Sequence, residues 1–283
     1  MSDALPWCTP RASALRPRQR GPPDNLRGVS ATLRISGLGS SVEARFSEPG
    51  SQLLLAAATW AWLRCLGTGM APCAADPLEV RSPGDGRGGE MIPALQTLTQ
   101  ELTRRLITAQ VGLLLLLHAG AVSHLVTRES LVFVAPGGAG KTTLARLLGR
   151  SYVYLSDETV GIDDIGRIHL YPKPLTLRTP QGGPKPEASP DDLGLARADP
   201  TPTMKEVILL TCPLDYAGLP ANEGLGTLDA VQLPPETFSL SKLPRPLRTL
   251  AALAEKCGPV LSCFYAEADD LVGLTGELIG SGS

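Results

Sequence analysis

What this 283-residue chain lacks narrows its function before any motif is read. It has no charge excess: 26 Lys and Arg stand against 28 Asp and Glu. A chain this close to neutrality has neither the basic footprint of a nucleic-acid binder nor a polybasic membrane-surface patch. It has no Cys-x-x-Cys pair. Its cysteines are Cys8, Cys65, Cys73, Cys212, Cys257 and Cys263, and the only close pairs are eight and six residues apart. That spacing argues against a zinc site or a disulfide framework, and for free, mostly buried thiols in a reducing cytosol. No apolar run is long enough to span a bilayer; residues 113–117 are apolar but far short of the ~20 required. No apolar h-region follows the N-terminus. Residues 1–26, with their prolines and Arg11, Arg16, Arg18 and Arg20, read as a disordered tail, because Asp3, Asp24 and the prolines spoil the amphipathic helix of a transit peptide. No internal repeat is apparent. The expectation is a cytoplasmic protein with neither nucleic acid nor membrane as partner.

The chain is long enough for one large domain or two modest ones. Residues 28–37 and 41–47 alternate as strands around a turn at 37–40. Residues 51–65 read as an apolar helix carrying Trp60 and Trp62, and 82–89 as a Gly/Pro-rich loop. Residues 93–114 have helical spacing, with Leu95, Leu98, Leu102, Leu106 and Ile107 on one face. Residues 27–110 thus form a small α+β unit, and 111–283 a second domain. In that domain 118–122, 131–134, 152–155, 207–211 and 260–265 read as strands. Residues 159–163 and 166–171 read as a hairpin, and 141–150, 246–256 and 267–279 as helices. Residues 179–203 are rich in Pro, Gly and Asp and exceed an ordinary connection, so they read as a mobile loop of lid type.

The most informative segment is 131–146. A buried strand runs into Ala135-Pro136-Gly137-Gly138-Ala139-Gly140-Lys141-Thr142-Thr143 and then into a helix. This is the pattern of a phosphate-binding loop, with Ala135 where the strict pattern starts on glycine. Glycines allow the dihedrals and close approach that turn backbone N–H groups towards phosphates. The helix N-terminus adds a partial positive charge. Lys141 would reach the β- and γ-phosphates, and Thr142 would offer its hydroxyl to Mg²⁺. Such a loop implies nucleotide binding but does not separate a kinase from a hydrolase or a binder.

Asp157 and Glu158 directly follow the next strand. In the company of such a loop, one carboxylate can serve the metal while the other accepts a proton from an attacking hydroxyl. His118 lies between two short apolar runs upstream. The segment 117–122, the loop 135–142 and Ser156-Asp157-Glu158 resemble, in order and spacing, the core of the HPr kinase/phosphorylase-like family. That family shares its P-loop fold with phosphoenolpyruvate carboxykinase. The resemblance covers roughly residues 112–178. It implies an α/β fold: a P-loop nucleotide-binding domain of HPr-kinase/PEP-carboxykinase type beside the small N-terminal α+β unit. It also implies phosphate contacts from Lys141, metal contacts from Thr142 and Asp157, general-base or metal roles for Asp157 and Glu158, and a place for His118 near the transferred phosphate. Glu158 departs from the second Asp of bacterial HPr kinases, and the first 110 residues do not resemble their N-terminal domain. HPr itself is therefore not the expected acceptor.

Lys173 and Arg178, beyond the acidic pair, have two readings. They could neutralise a transferring phosphoryl group, or they could be exposed basic residues on an edge made irregular by Pro172 and Pro174. The expected function is an ATP-dependent kinase using Mg²⁺ and passing the γ-phosphate to a hydroxyl of a peptide, small protein or small molecule. ATP and GTP both stay open, since no base-reading motif is legible. The alternatives are a nucleotide-binding accessory or switch protein and a simple NTPase. The resemblance also implies a homo-oligomer.

Overall fold

The computed structural model describes residues 31–48, 50–67, 71–73, 76–81, 88–178, 183–197, 201–211, 220–225, 237–238, 240–280 and 282. The N-terminal tail, residues 28–30 of the first expected strand, most of the expected loop at 82–89, and Cys8 and Cys212 lie outside them. Among the described residues no helix is long and apolar enough to cross a membrane. Cys65, Cys73 and Cys263 are free thiols, and Cys73 is exposed. Burial pushes the Cys65 thiol up to about 12.

The N-terminal part begins with β1 (Ala31–Gly37) and β2 (Ser40–Phe46), an antiparallel hairpin. Leu38 and Gly39, both at positive φ (54° and 77°), make the two-residue turn whose twist suits such a pair. Helix α1 (Gln52–Ala61) follows, and β3 (Leu78–Glu79) then pairs with β2 in parallel. Helix α2 (Gly88–Gln110) starts earlier and ends sooner than the periodicity predicts, with Pro93 inside its second turn. Its Leu95, Leu98, Leu102 and Leu106 are buried with Ile35, Val42, Phe46, Leu54, Ala58 and Trp62 in one core. At roughly 1.5–3 kcal/mol per buried leucine, that stripe is what fixes the helix on the hairpin.

Next come β4 (Leu115–Leu117), β5 (Ala119–Ser123), β6 (Glu129–Val134), helix α3 (Lys141–Leu148), β7 (Val153–Ser156), β8 (Val160–Ile162) and β9 (Ile168–His169). After them come β10 (Leu175–Thr176), β11 (Glu187–Ala188), β12 (Thr203–Thr211), β13 (Ala221–Gly224), β14 (Thr237–Phe238), helix α4 (Pro246–Cys257), β15 (Leu261–Phe264) and helix α5 (Leu271–Ile279). The central sheet has the order β13-β15-β12-β6-β5-β7. Its three middle strands β15, β12 and β6 are parallel, and the outer pairings are antiparallel. The fold is therefore mixed α/β around a sheet with a parallel centre. A second sheet, β14-β4-β8-β9, is antiparallel.

Strand alternation explains the layering. Leu131 and Phe133 of β6 pack on one side with Leu144 and Leu148 of α3 and Leu271 and Ile279 of α5. Val132 and Val134 pack on the other with Leu115, Leu117, Val160, Ile162 and Leu253. The same alternation along 114–117 joins the N-terminal core to the rest. Leu114 and Leu116 belong to the hairpin core, whereas Leu115 and Leu117 belong to the sheet core. Tyr171 also lies in the hairpin core, its ring centroid 6.2 Å from that of Trp62.

Within its described residues, 183–197 and 201–203, the segment expected to be a mobile loop includes β11, an anchored turn and the first residue of β12. Arg64, 5% exposed, donates to Asp191 Oδ1 at 2.8 and 3.0 Å and to the Ala196 carbonyl at 3.1 Å. Hydrogen bonding from Arg197, then from Arg64, holds the Asp191 carboxyl down at about 2.

Candidate functional site

The loop 135–142 connects the C-terminal end of β6 to α3. Gly138 and Gly140 have φ of 95° and 88°, a region that L side chains rarely adopt. Those two positions are where the sequence needs glycine. Ala135 is buried in the sheet core and Ala139 packs against it, while Pro136 is exposed. The Tyr265 hydroxyl donates to the Ala139 carbonyl at 2.7 Å and pins the loop from the end of β15. The Lys141 ammonium is drawn back towards the loop and donates to the carbonyls of Ala135 and Pro136.

Asp157 comes to this loop from the end of β7. Thr142 Oγ1 donates to Asp157 Oδ2 at 2.9 Å. On its other oxygen, Asp157 meets the Tyr154 hydroxyl at 3.1 Å and the Lys173 ammonium at 3.3 Å. Tyr154 shares its one proton with the Lys173 carbonyl, 3.2 Å away. Lys173 also reaches Glu158 Oε2 at 3.0 Å and donates to the Pro174 carbonyl at 3.0 Å. Asp157 and Lys173 are buried, with side chains 2% and 1% exposed, whereas the Glu158 side chain is 45% exposed. Glu158 thus keeps an open side that Asp157 does not have.

The charges follow from this arrangement. Burial works to lower the Lys173 pKa, but the carboxylates of Asp157 and Glu158 outweigh it and hold the ammonium above its ordinary value. The Lys173 charge, against some burial, holds the Glu158 carboxyl below its ordinary value, helped by His118 and Lys141. Burial first, then the Asp157 charge, pushes the Tyr154 phenol well up, so it stays a donor.

His118 falls in the break between β4 and β5, one residue before the strand expected to begin with it. It lines one cleft of about 790 Å³ with Gly137, Gly138, Gly140, Lys141, Thr142, Thr143, Asp157, Glu158, Lys173 and Arg178. Residues chosen from three separate segments therefore converge. For Lys173 the exposed-edge reading is corrected: the side chain is buried because two carboxylates surround its ammonium. Arg178 is exposed and stands over the loop, its Nη2 3.4 Å from where a Cβ on Gly138 would lie.

Several participants are not evident from the sequence. Tyr154 and Tyr265 lie in segments expected only as strands, and their hydroxyl contacts appear only once strands are paired. Glu187, on β11, accepts from Thr176 Oγ1 at 2.9 Å, while its second oxygen is buried and has no partner among the described residues. Burial, with the nearby negative charges of Asp157 and Glu158 adding and Lys173 opposing, raises its carboxyl to about 7. Helix α2 supplies a whole wall of the cleft through Gln96, Thr99, Gln100, Thr103 and Arg104. Its second, polar stripe could have been read at the same i, i+3, i+4 spacing as the leucines.

The oxygen donors Thr142 Oγ1 and Asp157 Oδ2 suit a hard divalent cation that keeps most of its ligands from water and phosphate. Among the described residues there is no group of three or more His, Cys, Asp or Glu that could hold a metal by itself.

No family model matches the sequence, and no curated protein matches it. Among solved structures, the chain is similar to the Hpr(Ser) kinase/phosphatase from Coxiella burnetii. The identity is 15%, over 58% of this chain and 93% of that one, with a TM-score of 0.29. At that level of similarity the functional reading rests on the residues themselves.

Proposed function

We propose that this chain is an ATP-dependent phosphotransferase that uses the loop 135–142 as its phosphate cradle and Asp157 and Glu158 as its acidic pair. The observation that carries the reading is the 2.9 Å contact between Thr142, at the start of α3, and Asp157, at the end of β7. A chance glycine-rich turn has no reason to place its hydroxyl on a buried carboxylate that also bridges to a lysine.

The residues divide the work. Backbone N–H groups of the loop and the N-terminus of α3 bind the phosphates, and Lys141 neutralises the β- and γ-oxygens. Thr142 and Asp157 would hold Mg²⁺, which when bound supplies charge neutralisation across the β- and γ-phosphates. Tyr154 and Lys173 fix the Asp157 carboxylate so that it cannot swing away. Glu158, ionised and open to the cleft, takes the general-base position beside His118. The acceptor oxygen forms the new P–O bond as the bond from the γ-phosphorus to the β–γ bridging oxygen breaks. ADP leaves with that electron pair, and the acceptor's proton passes to Glu158. Arg178, over Gly138, can offset charge on the transferring group.

The test combines titration of MgADP and MgATP with incubation in γ-labelled ATP and extract fractions from the source cells. Wild type binds nucleotide and transfers label. Lys141→Ala loses at least tenfold in nucleotide affinity, whereas Asp157→Asn binds ADP but transfers no label. Binding without transfer would instead make the chain an accessory or switch protein. Phosphate release without a labelled acceptor would make it an NTPase. Wild-type turnover by Asp157→Asn would remove the assigned role.

A further inference from the structure

Helix α2 faces two ways. Its leucine stripe is buried on the hairpin, and the neighbouring polar stripe lines the cleft in two rows. Buried Thr99 and Thr103 form the inner row, with Ile107 at its border with the leucine face; Gln96, Gln100, Arg104 and Thr108 form the outer one. The stripe shares its cleft with the acidic pair. The Thr103 hydroxyl is 2.7 Å from that of Tyr171, two residues before Lys173, and His118 and Glu158 line the same cleft.

Among the described residues, two hydroxyls of the cleft have no partner. Thr99 Oγ1 and Thr159 Oγ1 are buried, on residues 3% and 0% exposed, and neither makes a hydrogen bond. A buried hydroxyl left unpaired costs free energy, so a ligand that pairs it gains affinity. The stripe is almost free of net charge. Of its polar members only Arg104 is ionised, and Glu101 holds it at 2.7 and 2.9 Å. Thr and Gln both donate and accept. From residue 96 to residue 108 the stripe is ~18 Å long at 1.5 Å per residue. That exceeds a small polyol and matches about five or six residues of extended chain at ~3.3 Å each.

We propose that the polar stripe of α2 is the acceptor subsite, and that it holds an extended, uncharged peptide segment whose Ser or Thr hydroxyl reaches Glu158. This assignment rests on the phosphotransferase reading above. Peptide N–H and C=O groups meet the Gln and Thr side chains along the helix, and one of them pairs with Thr99.

The experiment uses the full chain, γ-labelled ATP, and acetyl- and amide-capped Ala/Gly hexapeptides carrying a single Ser or Thr at each position. Glycerol and glucose serve as small-hydroxyl probes. Capped peptides should take the label and the small probes should not. Thr99→Val, which keeps the side-chain shape, and Gln100→Leu should each lower kcat/KM for the best peptide by about five- to tenfold, the loss of one neutral hydrogen bond or somewhat more. MgADP affinity, measured alongside, should stay within twofold; Gln100→Leu should melt within ~2 °C of wild type, and Thr99→Val, which removes a buried unpaired hydroxyl, should melt no lower than wild type. Unchanged peptide kinetics in both variants would overturn the subsite. Labelling of glycerol or glucose as efficient as that of peptide would overturn the peptide class in favour of a polyol. Bound MgADP with no labelled hexapeptide would likewise overturn it, whereas failure of the wild type to bind MgADP strikes the donor reading instead.

Discussion

Replacing Lys173 with methionine tests the charge arrangement at the base of the site. The side chain is 1% exposed, and its ammonium is held by Asp157 at 3.3 Å and Glu158 at 3.0 Å. Methionine fills much of the volume but leaves Asp157, itself 2% exposed, as a buried carboxylate without its cation. Removing one partner of a buried pair costs about 3–5 kcal/mol, because the surviving charge stays desolvated. At about 2–4 °C per kcal/mol for a chain of roughly this size, melting should fall by roughly 6–20 °C. The pH dependence follows from the directions of the shifts. In the wild type Lys173 is raised, so its contribution is present below the ordinary lysine pKa and is lost only as pH rises through the still higher folded value. Glu158 is lowered, so its contribution is present above the ordinary carboxylate pKa and is lost as pH falls through the folded value. Between those limits the wild-type contribution is flat. In Lys173→Met the largest cause that lowers Glu158 is gone, so Glu158 takes up its proton at a higher pH than in the wild type. The gap between variant and wild type should therefore narrow as pH falls from 8 towards 4.5. Thermal melts across that range, with the double variant Lys173→Met/Asp157→Asn, are the assay. The double variant should be more stable than Lys173→Met alone. A loss under ~2 °C, a gap that widens on acidification, or strictly additive single effects would refute the reasoning.

Other perturbations address separate contacts. Glu187 has its folded pKa raised to about 7, so its contribution is complete below the ordinary carboxylate pKa and is lost as pH rises through about 7. Glu187→Gln stays neutral and should be more stable than wild type above pH 7, by at most roughly 3 kcal/mol, with little difference near pH 4.5; parallel melting curves would show that the carboxyl is not perturbed. Tyr265→Phe deletes the 2.7 Å bond to the Ala139 carbonyl and should cost about 1 kcal/mol in denaturant unfolding and a few-fold in MgADP affinity. Gly138→Ala meets open space apart from Arg178 at 3.4 Å, so the φ of 95° should dominate, at about 1–2 kcal/mol; a neutral effect on stability would mean the loop relaxes to negative φ.

What could be read from the sequence divides along a physical line. Local periodicity is visible in one dimension, and so the apolar strand before Gly137, the helix after it, the hairpin turn at Gly39 and the leucine face of α2 are all legible. Pairing is not local. Nothing in Tyr171-Pro172-Lys173-Pro174 says that Lys173 is buried, because its burial depends on two carboxylates brought in by β7. In isolation two prolines and a lysine look like an exposed edge. Glu187 is obscure for the same reason: its neighbours are rich in proline, and its partner Thr176 comes from a strand of two residues. Helix α2 shows a different difficulty. Both of its stripes obey helical spacing, but a leucine stripe announces a core, while Gln, Thr and Arg at the same spacing announce only a solvated face. What separates a solvated face from a cleft wall is the element opposite it, and here that element is the glycine-rich loop with its acidic pair. The alternation at 114–117 makes the difference. By sending Leu114 and Leu116 into the hairpin core and Leu115 and Leu117 into the sheet core, one short segment ties the two packing layers together, and across that tie the polar stripe of α2 lines the same cleft as Lys141 and Glu158.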